Sequence, residues 1–395
     1  MHWLLCLPTQ QECHVRTTKK FAVAAAIAAI ALALSACSDG GTEPAESTAP
    51  EESVSAEAQA ALDRAFEGIG STLEDLGEVP AGEPLNLYVV SCGEQVPGCA
   101  VPAAAVKEAG EVVGWTSTIA DGKLNPEGFA TAIRQGIAGG ADVIIPIGIG
   151  CGVAQAAFQE AVDAGISIVG GGGVDDCDPK LWASGRLWLP DYTPVQQWEA
   201  FGQLQADYAF GKTNGDVKAV VLNFTGQVWG PWITDGFTAE LEETGGEVLA
   251  TVDVSDPEVG DGSFVQKVTT ALLSQPDANV LIVPIDGWLT NGLAAALVQA
   301  GLDEQLLVIG RSGDEPALDL IRQGDAGIDA TIGSAVQWGA WGSVDTALRV
   351  LAGEEPAYIG ESMQAIDAET NMPASGPYQG SVDFRDLFTA AWGVN

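Results

Sequence analysis

From Leu85 onward the chain alternates short apolar runs with longer stretches of helical spacing, and no other feature restricts its fold as much. Leu85–Ser91 (LNLYVVS), Glu111–Ser117 (EVVGWTS), Ala141–Gly148 (ADVIIPIG) and Ile166–Gly170 (ISIVG) read as strands. Between them VPAAAVKEAG, PEGFATAIRQGIAGG and VAQAAFQEAVDAG read as helices. The rhythm pauses near LWLPDYTP and restarts with a helix over Val195–Phe210. KAVVLNF, EVLATVDV, NVLIVPID, LLVIGRS and DATIGSA then supply a second strand series, with helices such as PWITDGFTAELEETG and TNGLAAALVQAG between them. Repeated strand–helix wiring predicts parallel sheets covered by helices on both faces. Two similar series in a chain of 395 residues predict two lobes, not one large core.

The stretch Phe21–Cys37 sets how much of the chain takes part in that fold. Arg16, Lys19 and Lys20 precede a run that is apolar to Leu34 and ends in Leu34-Ser35-Ala36-Cys37. About 14 apolar residues are too few to span a ~30 Å hydrocarbon core as a stable anchor, so the run predicts a translocation signal rather than an intact membrane helix. The segment resembles a bacterial lipoprotein signal, which implies that Cys37 is acylated and opens the mature chain; two acyl chains give a stable anchor. Residues 1–36 are therefore assigned to a signal peptide, with Met1–Val15 an over-long n-region or a start placed too early.

Composition is then weighed on the mature chain. The whole sequence has 16 basic and 54 acidic residues, a net charge of −38. Losing Arg16, Lys19, Lys20 and Glu12 leaves the remainder more acidic still, which excludes nucleic acid as a partner. Both histidines, His2 and His14, leave with the signal, and with them go Ser-His-Asp triads and imidazole-ligated zinc. No catalytic residue, metal site or cofactor is expected, although so many carboxylates leave paired-carboxylate hydrolysis formally open. Cys92, Cys99, Cys151 and Cys177 remain in an oxidising compartment. The pairing Cys92 with Cys99 and Cys151 with Cys177 is preferred because each closes a short loop; zinc ligation and free thiols are the competing readings.

After Cys37 the polar, acidic run to residue 57 predicts a disordered tether. Leu62, Phe66, Ile69, Leu73 and Leu76 recur at spacings of four and three, predicting an amphipathic helix within residues 58–80 that ends near Gly77.

Asp329-Ala330-Thr331-Ile332, Gly339-Ala340-Trp341-Gly342 and Val350-Leu351-Ala352-Gly353-Glu354-Glu355-Pro356 are similar to the last crossover strand, helix and turn of the type I periplasmic binding proteins, in the ribose-binding-like sugar branch that feeds ABC importers. Val283–Gly287 and Ile309–Asp314 stand at two further turns of that family, and the resemblance covers Leu85 to about Asp367. It implies an α/β protein of two Rossmann-like lobes with parallel sheets and a three-crossing hinge. The first lobe would take residues 81–191 and 338–362, and the second 192–337 and 363–395. Crossings are expected near Asp191–Thr193, Val336–Trp338 and Glu361–Gln364.

In open parallel sheets ligands bind beyond the carboxyl ends of the strands, and two facing lobes place two such edges together. The candidate ligand-binding residues at those edges are Glu94, Gln95 and Asp175 in the first lobe and Gln227, Trp229, Trp232, Asp286, Trp288, Arg311 and Asp314 in the second, with Gln337 at a crossing. Flat apolar faces beside planar polar groups suit a sugar. Asp286 is expected to touch the ligand, with capping of the helix beginning near Trp288 as the alternative; Arg311 could equally pair with nearby carboxylates, and only two or three tryptophans would face the cleft. Departures from the family limit the carry-over. SCGEQVPGC replaces its first aromatic turn, GGGGVDDCD lacks the arginine that follows the fourth strand, and the arginine opening the second lobe's first helix falls near Pro231. These changes argue against ribose itself and leave room for a larger or flatter ligand. Val153 stands where a dinucleotide loop starting at Gly148 would need its third glycine, and Gly211-Lys212-Thr213 lacks the upstream glycine of a phosphate loop.

The expected protein is a monomeric, lipid-anchored solute-binding component of an ABC importer on the extracytoplasmic face of the membrane, partnered by a permease. A sensory receptor of the same fold and a binding protein for an aromatic solute are the alternatives.

Overall fold

A computed structural model of the chain describes residues 54–73 and 75–394. The signal, the lipobox with Cys37 and most of the tether lie outside the described residues.

The helix α1 (Ala56–Glu67) is capped by the Ser55 side chain and stopped by Gly68, whose φ of 69° opens a turn. A Cβ on Gly68 would meet the Met363 carbonyl oxygen at 2.0 Å, so the site also needs the bare backbone. The expected helix over residues 58–80 is thus corrected. Ile69 instead forms an antiparallel bridge with Met363, and Leu76 is buried outside any helix. A spacing of three and four reports which residues are buried, not that one helix carries them all.

The first lobe contains β1 (Asn86–Ser91), α2 (Pro97–Val112), β2 (Thr116–Asp121), α3 (Pro126–Ala138), β3 (Val143–Pro146), α4 (Gln155–Asp163) and β4 (Ser167–Ile168). Its four strands are parallel in the order β2-β1-β3-β4. The strand expected over Glu111–Ser117 is shifted. Glu111 and Val112 complete α2, Gly114 turns the chain at φ 84°, and the strand starts at Thr116.

The second lobe follows α5 (Pro194–Lys212), which carries a capping box at Thr193 and Gln196. It contains β5 (Lys218–Phe224), α6 (Trp229–Thr244), β6 (Glu247–Val254), α7 (Asp256–Asp261), α8 (Ser263–Leu273), β7 (Val280–Ile282), α9 (Asp286–Trp288), α10 (Ala294–Ala300), β8 (Leu307–Ser312), α11 (Glu315–Gln323) and β9 (Ala330–Ser334). The stretch expected as one helix from Thr290 is broken by a wide turn over Leu289–Leu293, where Gly292 has φ 120°. After α12 (Val336–Ala352) the chain returns as β10 (Met363–Asp367), antiparallel to β9. The sheet order is β10-β9-β8-β7-β5-β6. Two largely parallel sheets with covering helices make two lobes, as the strand–helix alternation leads one to expect.

The helix α12 packs on α2 of the first lobe, and the Ser343 hydroxyl donates to Gly170 O at 3.0 Å. The chain end was expected wholly in the second lobe, and here the structure differs. The last helix α13 (Phe384–Trp392) packs on α12, with Trp392 stacked on Trp341 at 5.3 Å, and Arg385 bonds Glu108 of α2 at 2.9 Å. Phe384, Phe388 and Trp392 recur every four residues, so one face of α13 is apolar and covers the α12 tryptophans.

Candidate functional site

Three backbone crossings join the lobes. Gly360 N donates to Trp188 O at 3.0 Å, pairing the first with the third. The second is complete by Val336, where α12 begins. One side chain ties all three. Glu361 accepts from Arg186 Nη2 at 2.5 Å and from the Ser334 hydroxyl at 2.5 Å, while its carbonyl accepts from Trp188 Nε1 at 2.9 Å. Glu361 is buried and holds φ at 132°, a conformation costly for a residue with a Cβ.

The lobes face each other at the carboxyl ends of β1, β5 and β8. A methyl group on Gly98, in the first turn of α2, would lie 3.8 Å from Asp314 Oδ2 in the opposite lobe. On the first-lobe side the turn after β1 is closed by the disulfide Cys92–Cys99. The disulfide Cys151–Cys177 ties the turn after β3 to the loop after β4, so the preferred pairing is the one observed and the zinc and free-thiol readings fall. Both bridges stiffen the edge that faces the cleft. Asp175 lies near Cys151 and Cys177, but their sulfurs are joined to each other and the group cannot hold a metal.

On the second-lobe side a carboxylate, a guanidinium and three aromatic rings form one assembly. Asp286 is fully buried and accepts from Gly313 N at 2.7 Å, Asp314 N at 3.3 Å and the Thr331 hydroxyl at 2.9 Å. Gly310 leaves the room for this carboxylate, because a Cβ there would lie 2.1 Å from Asp286 Oδ1. Asp286 therefore fixes the turn after β8 and is neither a helix cap for the Trp288 turn nor a surface group. Arg311 donates through Nε to Pro284 O at 2.8 Å and lies over the rings of Phe201 at 4.6 Å, Trp198 at 5.2 Å and Trp229 at 5.5 Å. Trp198 and Trp229 stack on each other at 4.7 Å. The guanidinium is thus held from its stem, and among the described residues its two terminal nitrogens have no hydrogen-bond partner.

The electrostatics follow from burial. Burial pushes Asp314 up to about 7, helped by repulsion from Asp286 and opposed by Arg311. Burial also raises Asp286, offset in part by its Thr331, Gly313 and Asp314 donors. Among the described residues Asp314 has no such donor. Burial brings Arg311 down to about 10, against the pull of Asp286, Asp314 and Glu361.

The expected residues divide accordingly. Trp229, Arg311, Asp286 and Asp314 come together. Among the described residues Gln227 Oε1, Trp229 Nε1 and Gln337 Oε1 are buried without a partner, and so is Ser91 Oγ at the end of β1. Glu94 and Gln95 are exposed on the facing lobe. Asp175 is removed from the candidates, because its carboxylate accepts from the backbone of Cys177, Leu181 and Trp182 and shapes its own loop. Trp288 lies in the core, 5.5 Å from Phe224 and from Phe264. Trp232 is half-buried against that core. Sequence reasoning missed Trp198 and Phe201, one helical turn apart on α5. Their spacing marks one face of that helix, but not that the face holds an arginine.

A two-lobed parallel-sheet fold with unpartnered polar groups collected at facing strand ends defines a solute-binding protein of the type I periplasmic class. The chain belongs to the periplasmic binding protein domain family, which it matches over residues 98–355. That family consists of solute-binding proteins, not enzymes. Solved structures share the fold at low identity. A solute-binding protein from Thermotoga lettingae in complex with 5-methylthioribose superposes with a TM-score of 0.62 at 18% identity, over 79% of this chain and 100% of that one. One from Actinobacillus succinogenes with bound D-allose gives 0.60 at 18%, over 73% and 98%. One from Bacillus halodurans with bound myo-inositol gives 0.58 at 18%, over 73% and 96%. No curated protein matches the sequence. Among the described residues no helix is long and apolar enough to cross a membrane.

Proposed function

We propose that the protein captures a carbohydrate or related polyol between its lobes and delivers it to the permease of an ABC importer, held at the extracytoplasmic face by a lipid on Cys37. One observation carries the choice of ligand. At the carboxyl ends of the second lobe's strands, Gln227 Oε1, Trp229 Nε1 and Gln337 Oε1 are buried with no protein partner among the described residues, and the terminal nitrogens of Arg311 and the Asp314 carboxyl have no hydrogen-bond partner there. Buried groups left this way are costly unless a ligand completes them, and a polyol offers both donors and acceptors. The bound D-allose, 5-methylthioribose and myo-inositol of the structural relatives agree with that chemistry. An aromatic solute is less favoured, because the flat faces of Trp198 and Trp229 are already stacked on each other and Trp288 is enclosed in the core.

A thermal-shift panel of pentoses, hexoses, inositols and small indoles tests this reading. Stabilisation by at least one sugar or polyol and by no indole is expected. The reverse pattern would sink it. Mass spectrometry of the protein from its native membrane, with acyl groups found on Cys37, checks the anchor.

A further inference from the structure

Away from the hinge, the first turn of α2 in one lobe meets the turn after β8 in the other across the cleft. A Cβ at Gly98 would lie 3.8 Å from Asp314 Oδ2, and apart from its chain neighbours and its own helix no other heavy atom among the described residues comes within 4 Å of that position. The α2 end is short of acceptors. Its N-cap residue Val96 supplies no side-chain cap, and its first turn holds no acidic residue. Pro97 has no N–H, and the Cys99 and Ala100 amides donate to Val96 O at 3.1 Å and 3.0 Å, which leaves the Gly98 amide without an acceptor among the described residues. The Asp314 end is short of donors. This residue is only 6% exposed, and among the described residues its carboxylate accepts no hydrogen bond. A helix of 16 residues carries a partial positive charge at its N-terminus, which attracts a carboxylate. Both pieces are also held in place. The disulfide Cys92–Cys99 closes the turn leading into α2. The Asp314 turn is fixed by Asp286, which accepts from Gly313 N at 2.7 Å and Asp314 N at 3.3 Å, and by Tyr378 N, which donates to Gly313 O at 2.9 Å.

We propose that Asp314 and the bare first turn of α2 form a latch across the cleft, in which the carboxylate of one lobe caps a helix of the other and Gly98 is the point where the lobes meet. Neither partner belongs to a crossing, so the contact exists only while the lobes are together and a hinge rotation that opens them must break it. Gly98 suits this place because it has no side chain. Its φ lies outside the left-handed region, so the backbone itself does not demand glycine. A methyl group would fit against Asp314, whereas a longer side chain would run into it before the lobes reach this separation. With Oδ2 on the helix, Oδ1 is left for the solute. The latch biases the empty protein toward closure, so the solute need not supply all of the free energy of closing. The inference rests on the reading that these lobes close on a solute.

Small-angle X-ray scattering of the full chain without any added solute tests it in two variants. Asp314→Ala removes the carboxylate, and Gly98→Trp sets a wedge at an exposed helical position. Both are expected to show a larger radius of gyration and a larger maximum dimension than the parent. In Asp314→Ala the ratio of closed to open molecules should fall about 2-fold to 30-fold, the range for a carboxylate at a helix N-terminus. Scattering identical to the parent from either variant, with its circular dichroism unchanged, overturns the proposal. Gly98 lies outside the core, so the wedge variant decides the matter if loss of the buried carboxyl disturbs folding. No solute is used, so failure here leaves the solute-binding assignment standing.

Discussion

Asp286, Arg311 and Asp314 illustrate how differently three charged residues at neighbouring strand ends are used. Asp286 is bonded by two backbone amides and the Thr331 hydroxyl, so its charge organises the turn rather than reaching the cleft. Arg311 is clamped by aromatic faces and a carbonyl, and its terminal nitrogens have no hydrogen-bond partner among the described residues. Asp314 is buried without a donor and titrates near 7. Its ordinary value in an unfolded chain is about 3.9, so the folded state binds the proton more tightly. The stability this group contributes is full below about pH 4 and is lost as the pH rises through 7. Asp314→Asn should therefore raise the thermal midpoint of the unliganded protein at pH 8, and the gain should shrink toward zero at pH 4.5. An equal offset at both pH values would show that the carboxyl is not held neutral by the fold. The residue types at this edge were legible in the sequence, since the turns after β7 and β8 mark Asp286, Arg311 and Asp314 as strand-end groups. Which of them turns inward was not, because that depends on Gly310 and Thr331, contributed by two other strand positions.

At the scale of elements, loops and termini carry what the strand–helix rhythm leaves unspecified. The disulfide Cys151–Cys177 spans 26 residues and joins two turns at the cleft edge, while Cys92–Cys99 spans 7. Loop-closure entropy gives about 3.5 kcal/mol for the longer bridge and about 2.5 kcal/mol for the shorter. Replacing Cys151 and Cys177 together by serine should cost more in urea-unfolding free energy than replacing Cys92 and Cys99. The opposite ranking would mean that the β3 and β4 loops are held by Asp175 and its backbone donors alone. In α13, Trp392 stacks on Trp341 and donates to the buried Asp345, so Trp392→Ala should cost about 3–5 kcal/mol. A loss under 1 kcal/mol in urea unfolding would show that the terminal helix is only loosely docked. The pairing of cysteines could be read from short separations. The lobe to which α13 belongs could not, since its apolar face fits any apolar surface until Trp341 is placed opposite it.

For the whole molecule, the sheet orders and the hinge bring two strand edges face to face, and Arg311 lies within an aromatic clamp at that meeting line. The two-lobe architecture was visible because the strand–helix alternation repeats on either side of LWLPDYTP. The end of α1 was hidden because Ile69, Leu73 and Leu76 continue its spacing, so the change of backbone at Gly68 leaves no mark in the periodicity. The central claim is that Arg311 and its neighbours complete their hydrogen bonds on a polyhydroxylated solute. Calorimetric titration of the most stabilising sugar or polyol into the parent and into Arg311→Ala tests it most directly. Charge-assisted bonds are worth about 1.5–3 kcal/mol, so the variant should bind roughly 10-fold to 100-fold more weakly with its fold intact. An unchanged dissociation constant would contradict the account.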